Sequence, residues 1–257
     1  MDLILARANT RELQRLRRLN CKHANAWITA LPSAIDGKDT ILTPELYHIA
    51  VKRLLGLPVL RDVVPCPLCQ QNMDIFGDHS LCCRMTGDNI TRHNRVRNFI
   101  FKLADRGLLN PEMEKQGILG PTDSSKRRPG DVSIPLWSHG RGLAIDVAVI
   151  CPLASSHITC EEPCENYATH QKHGKYDASF SRSQYSFAAM VFETSGAVNS
   201  EGESVLKQII RFTSKRERAV HAVFSGRTWA RLSCCIQASV AQTCLNRLCV
   251  DAVDAEA

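Results

Sequence analysis

The sequence predicts an α/β protein with a mixed central sheet flanked by helices. Two β-rich runs stand close together between Pro129 and Val149, Pro-Gly-Asp-Val-Ser-Ile and Leu-Ala-Ile-Asp-Val-Ala-Val. A third apolar run, Phe187 to Thr194, reads as a further buried strand. Segments with helical spacing precede, separate and follow these runs. Each of the first two runs carries one aspartate, Asp131 and Asp146, in otherwise apolar company. A carboxylate buried there is costly unless it meets a cation or a donor.

Composition sets the bounds. The chain has 257 residues, 44% hydrophobic and 23% charged, which describes a folded globular protein and excludes a disordered one. The net charge of +6 suits a polyanionic partner. The opening Met-Asp-Leu-Ile-Leu-Ala-Arg is too short an apolar run for a signal peptide. No stretch approaches the roughly 18 apolar residues that span a bilayer. A soluble, intracellular protein without membrane partners is expected. Its twelve cysteines then read as thiols or metal ligands, not disulfides.

The elements follow in order. Residues 10 to 20 form a short basic helix with Leu13, Leu16 and Leu19 on one stripe and its arginines on a solvated face or on phosphate. Ala26 to Pro32 is an apolar anchor. Thr43-Pro44-Glu45 starts a helix with a cap, a proline in the first turn and an acid near the positive end. Leu46, Ile49, Ala50 and Leu54 form its inner face, and Gly56 ends it. Pro58 to Pro65 reads as a linker and Pro65 to Cys83 as a cysteine-rich knuckle. Thr91 caps a helix to Arg106, with Val96, Phe99, Ile100, Leu103 and Ala104 inward and Gly107 as its stop.

A short strand is expected at Met113 to Lys115, then a polar loop from Gly120 to Arg128, then the two aspartate strands. Ser155 to Tyr167 reads as a loop and His170 to Phe180 as a helix. Glu201 to Phe212 is an amphipathic helix with Val205, Leu206, Ile209 and Ile210 inward. Thr228 to Leu248 is another, and the chain from Asp251 reads as a frayed tail. The expected division is a helical linker region over 1–64, a knuckle over 65–90, the α/β unit over 91–215 and a C-terminal helix and tail over 216–257.

Two sites carry chemistry. Cys66, Cys69, His79 and Cys83 give the spacing C-x2-C-x9-H-x3-C, with Cys82 competing with Cys83 for the last place. Four soft or borderline ligands in a tetrahedron suit Zn²⁺, and a site filled by protein is structural. Knuckles of this kind often contact single-stranded nucleic acid. At the second site, Asp131 and Asp146 on neighbouring strands are candidate ligands for Mg²⁺ or Mn²⁺, with Glu114 a candidate third. Such an ion activates a water and offsets charge in phosphodiester hydrolysis. His93 stands in the first turn of its helix, facing either that site or phosphate. Arg92, Arg95, Lys126, Arg127 and Arg128, with His93, are candidate contacts to a nucleic-acid backbone.

The residues also carry a resemblance. Cys66-x2-Cys69, Gly77-Asp78-His79, Cys83, Arg92-His93-Asn94, Arg128-Pro129-Gly130-Asp131-Val132, Ala144-Ile145-Asp146-Val147 and Lys175-Tyr176 resemble the C-terminal part of reverse-transcriptase polyproteins of non-LTR retrotransposons. The resemblance runs from about Ala26 to Gly196. It implies a restriction-endonuclease-like, PD-(D/E)XK fold whose activity is Mg²⁺-dependent nicking of a DNA target to prime reverse transcription. Asp131 matches the Pro-Asp aspartate, with Gly130 inserted, and Asp146 matches the second acid. Ala148 stands where the usual lysine would be. The resemblance places the lysine on a later helix, at Lys175, with Lys172 one turn earlier as the fallback.

The expected catalytic set is therefore Asp131, Asp146, Glu114 and Lys175. The expected partners are DNA and the element's RNA, in the nucleus. The chain contains no Tyr-x-Asp-Asp core and no reverse-transcriptase domain. It is read as a truncated element copy or a domesticated fragment. The alternative is a catalytically inactive remnant that binds nucleic acid through the knuckle and basic patches.

Overall fold

The structure is a computed structural model, and it describes residues 9–31, 40–85, 87–119 and 128–248. Helix α1 spans Thr10–Leu19, a 3-10 turn Ala26–Thr29, and α2 Pro44–Leu55. The hairpin of β1 (Val64–Pro65) and β2 (Asn72–Met73) leads into the short helix α3 (Asp78–Cys82) and the long helix α4 (Asp88–Arg106). Strands β3 (Glu112–Met113), β4 (Val132–Ser138) and β5 (Arg141–Ile150) follow. Helix α5 (Pro163–Tyr167), a π-helical turn (Ala168–His173) and α6 (Gly174–Phe180) follow one another without a break, and a turn over 181–184 leads into β6 (Tyr185–Glu193). Helices α7 (Ser200–Arg216) and α8 (His221–Leu248) complete the described chain.

The strands form one four-stranded mixed sheet in the order β3-β4-β5-β6. The β3/β4 and β4/β5 pairs are antiparallel and β5/β6 is parallel. Pro135 has no backbone N–H to give to the ladder, and the β4/β5 register shifts between Ile134 and Ser138. The outer edge of β6 is closed by side chains. Asn199 accepts from the Val191 N–H and donates to the Ala189 carbonyl, while Glu201 accepts from the Ala189 N–H. A strand edge satisfied in this way offers no ladder to another chain.

Strand alternation divides the sheet into two faces. Leu143, Ile145 and Val147 of β5 join Val96, Ile100 and Leu103 of α4, Leu206, Ile209 and Ile210 of α7 and Ile236 of α8 in the main core. Ala144, Ala148 and Ile150 point to the other face, where Cys164, Ala168 and Phe180 of the α5–π–α6 segment pack. Asp146 belongs to this second face. It stands in β5 between Ala144 and Ala148, opposite Ala189 of β6. Small residues leave room there for longer side chains.

Helix α2 matches its expected start and stop. Thr43 accepts from the Leu46 N–H, and Gly56 adopts the left-handed conformation at φ 72°. Helix α4 begins three residues before Thr91, at Asp88. Helix α8 begins at His221 instead of Thr228. It packs against α2, α3, α4 and α7, and its Trp229, Leu232, Ile236 and Val240 belong to the main core.

On the basic face of α1 only Arg17 is exposed, and the other three arginines are held by partners. Arg11 pairs with Asp78 at 2.5 Å, and Arg18 pairs with the fully buried Glu193 at 3.0 Å. Arg15 donates to the Leu54 carbonyl, and buried Gln14 donates to the carbonyls of His157 and Cys160. The arginines fasten α1 to three distant segments. Their guanidinium groups reach polar partners while their stems cover apolar surface.

Candidate active site and metal centre

The knuckle is built by a tight hairpin. The Cys66 N–H donates to the Gln71 carbonyl and the Gln70 N–H to the Cys66 carbonyl, with Gln70 in the left-handed region at φ 60°. This turn brings Cys66 and Cys69 together. Asp74 then organises the second half. Its carboxylate accepts from the N–H groups of Phe76, Asp78 and His79, which starts α3 and presents His79. Cys83 follows directly at the end of that helix.

The ligand atoms of Cys66, Cys69, His79 and Cys83 all lie within 4.8 Å of one another. Sulfurs around tetrahedral zinc stand about 3.8 Å apart, for Zn–S bonds of about 2.3 Å. The cluster could hold a metal such as zinc. Burial pushes the Cys66 thiol up, but the N–H groups of Cys69 and Leu68 and the neighbouring His79 overcome it and bring it down to about 6. A thiol so lowered is ready to bind metal as thiolate. Cys82, which competed for the fourth place, stands outside this cluster and is exposed.

The second centre is assembled by sheet register. Asp131 immediately precedes β4, and its N–H donates to the Ile145 carbonyl at 2.8 Å. This places it beside Asp146. Asp131 Oδ2 accepts from the Val147 N–H at 2.6 Å, and Oδ1 meets His93 Nε2 at 3.1 Å. His93 therefore faces the acidic pair, not a surface patch. On the opposite side, Lys172 Nζ lies 2.7 Å from Asp146 Oδ2. That oxygen is fully buried and accepts no aligned hydrogen bond. Such an atom, next to a second carboxylate, suits a hard cation.

The electrostatics separate the two acids. Burial raises Asp146, Lys172 lowers it and Asp131 raises it, and the balance is an upward shift to about 6. Burial also opposes ionisation of Asp131, but His93 and the Val147 N–H hold it below its ordinary value. Burial disfavours the charged form of Lys172, yet Asp146 keeps it above its ordinary value. Lys172 is thus an ammonium at neutral pH. It can offset negative charge or orient a water, and it is no proton acceptor.

The lysine differs from the expected one. Lys175 is exposed, with its Nζ stacked 4.8 Å above the Tyr176 ring. Lys172 takes the position at the carboxylates because residues 168–173 form a π-helical turn, which shifts the phase of the side chains that follow. Glu114 also lies apart from the expected role. Its N–H donates to the Asp131 carbonyl, but its carboxylate is held by Arg97 and Arg128, each at 2.6 Å.

Among the candidate phosphate contacts, Arg92 is buried at 3% exposure. It donates to the Leu81 carbonyl and to Asn89, so it faces the interior and not a ligand. Arg95 and Arg128 are exposed. Lys126 and Arg127 lie outside the described residues. Arg97, which sequence reasoning left aside, ties α4 to Glu114. Strand alternation held a usable signal for Lys172: it assigns Asp146 to the face that the 163–180 segment covers.

Among the described residues no helix is long and apolar enough to cross a membrane. Compared with protein-family models, curated proteins and solved structures, the chain finds no match, so its site geometry stands on its own.

Proposed function

We propose that this chain is a metal-dependent DNA endonuclease domain with a structural zinc knuckle, derived from a non-LTR retrotransposon. One observation carries the reading: Asp131, Asp146 and Lys172 converge on one point beside His93. Two acids at a mixed sheet, with a lysine brought from the adjoining π-helical turn, are the group needed for phosphodiester hydrolysis. The surplus of positive charge suits DNA.

Asp131 and Asp146 would hold Mg²⁺ or Mn²⁺, which supplies a water activated as nucleophile and charge stabilisation at the phosphate. Two protein carboxylates leave the remaining positions for water and phosphate, as Mg²⁺ prefers. His93 and the Val147 N–H fix the Asp131 carboxylate in place. Lys172 contributes a fixed positive charge in a water-poor corner, where it acts most strongly on a developing anion. The zinc knuckle anchors α3 against Arg11 and Arg53, both paired with Asp78, and so joins α1 and α2 to the nuclease unit.

The catalytically inactive reading draws support from Glu114, whose carboxylate is occupied by two guanidinium groups. Incubation of supercoiled plasmid with zinc-loaded protein separates the two. The nuclease reading expects Mg²⁺-dependent conversion to open circles that Asp131→Ala abolishes. Salt-sensitive DNA binding without cleavage would favour the inactive remnant. A nuclear location and target-site nicking belong to the same proposal.

A further inference from the structure

Lysine is a flexible side chain, and a bare contact with one carboxylate does not hold it in register. The segment that carries Lys172 is a π-helical turn, a geometry that persists only where surroundings hold it. His173, the next residue, supplies such a hold. Its Nε2 meets Glu201 Oε2 at 2.8 Å, and its Nδ1 meets Asp177 at 2.8 Å. Its ring stands edge-on to Phe187 of β6, centroids 5.2 Å apart.

The same Glu201 oxygen accepts from the Ala189 N–H at 2.9 Å, and Ala189 is the register partner of Asp146. The contacts therefore close a ring. Asp146 lies beside Ala189, Ala189 is bonded to Glu201, Glu201 to His173, and Lys172 returns to Asp146. Each link joins a different element: β5, β6, the first turn of α7 and the π-helical turn.

We infer that His173 is a positioning residue, which pins the π-helical turn to β6 through Glu201 and thereby sets the Lys172 ammonium against Asp146. This inference builds on the nuclease reading, and it makes a claim about Lys172 that is measurable without any cleavage. His173 touches neither acid of the centre. It acts through its neighbour.

The experiment is amine acylation of the full zinc-loaded chain with an N-hydroxysuccinimide ester at neutral pH, with the rate at each lysine read by mass spectrometry. A paired, buried ammonium presents little free amine, so wild-type Lys172 should react at least about tenfold more slowly than exposed Lys175. His173→Ala should raise the Lys172 rate at least about threefold and leave Lys175 and Lys115 unchanged, as loss of a positioning contact predicts. His173→Gln, whose amide still donates to Glu201, should restore most of the protection. Glu201→Ala, which removes the acceptor, is the second route to the same loss should the His173→Ala variant fold poorly.

An unchanged Lys172 rate in folded His173→Ala and Glu201→Ala overturns the inference. So does a rise shared equally by all lysines, which marks general loosening. Plasmid nicking by the same samples separates the two claims. Lys172 protection that depends on His173, in a wild-type protein that never nicks DNA, sinks the nuclease reading alone. Wild-type nicking with no response of Lys172 to either variant sinks the positioning role alone.

Discussion

The Lys172 ammonium lies 2.7 Å from Asp146 Oδ2, on the face of β5 where Ala148 presents only a methyl group. Lysine at position 148 would reach the same face from the strand itself. Here the strand carries the small residue and the helical segment brings the charge. Lys172→Met should therefore lower the nicking rate by about 10² to 10³, the usual range for removing one group that stabilises developing charge. Lys175→Met should leave it within about twofold, as for surface substitutions. A steady-state nicking assay on the two variants reads the difference, and equal losses would remove Lys172 from its role.

The knuckle yields a prediction about adjacent cysteines. Purified protein should contain zinc, and Cys83→Ser should lose it while Cys82→Ser keeps it. Cys83 belongs to the cluster, whereas Cys82 is exposed and stands outside it. Metal content by atomic emission checks this directly. Chelation should also lower the melting temperature, because metal binding contributes folding free energy.

Asp146 gives a pH dependence. Its value of about 6 in the folded protein stands above its ordinary 3.8. The folded state thus binds the proton more tightly than the unfolded chain. That contribution is fully present below about pH 4 and is lost as pH rises through 6. Urea unfolding of the Mg²⁺-free protein should show up to about 3 kcal/mol of this loss. Excess Mg²⁺ should reverse it above pH 6, since the ion binds the ionised carboxylate. A flat profile in both conditions would argue against the paired acids.

Arg18 and Glu193 form a buried ion pair, with Glu193 1% exposed. Arg18→Ala should destabilise the fold by about 3 kcal/mol, the cost of leaving a buried charge without its partner. The effect should change little with salt. DNA affinity measured below the unfolding transition should stay within about twofold, because this arginine faces Glu193 and not solvent.

How much of this was legible in the sequence depended on whether a residue's role was local. Helix α7 was readable because Val205, Leu206, Ile209 and Ile210 repeat at the helical period, and all four are buried. Helix α2 was readable from Thr43 and Gly56, whose backbone roles are set by neighbours in sequence. The first two turns of α8 were not. His221, Ala222, Val223, Gly226 and Arg227 are exposed, and Phe224 alone of these turns packs against the main core, which is too little for an apolar stripe.

The arginines of α1 read as a solvated face because their partners Asp78, Leu54 and Glu193 are remote in the chain. The choice between Lys172 and Lys175 turned on the π-helical turn. No local pattern announces that turn, since it is held by contacts from β6 and α7. Pairing of the two aspartates was foreseeable from alternating strands. The loss of Glu114 to Arg97 and Arg128 was not, because both guanidinium groups come from other elements.

The central claim is that Asp131 and Asp146 form a metal-dependent nuclease centre. Single-turnover nicking of supercoiled DNA by zinc-loaded protein, with and without Mg²⁺, tests it most directly when wild type and Asp146→Ala are compared side by side. The account predicts nicking by wild type only with Mg²⁺, and a loss of at least about 10³-fold in the variant. Nicking by Asp146→Ala at the wild-type rate would contradict it, as would no nicking by wild type at any Mg²⁺ concentration.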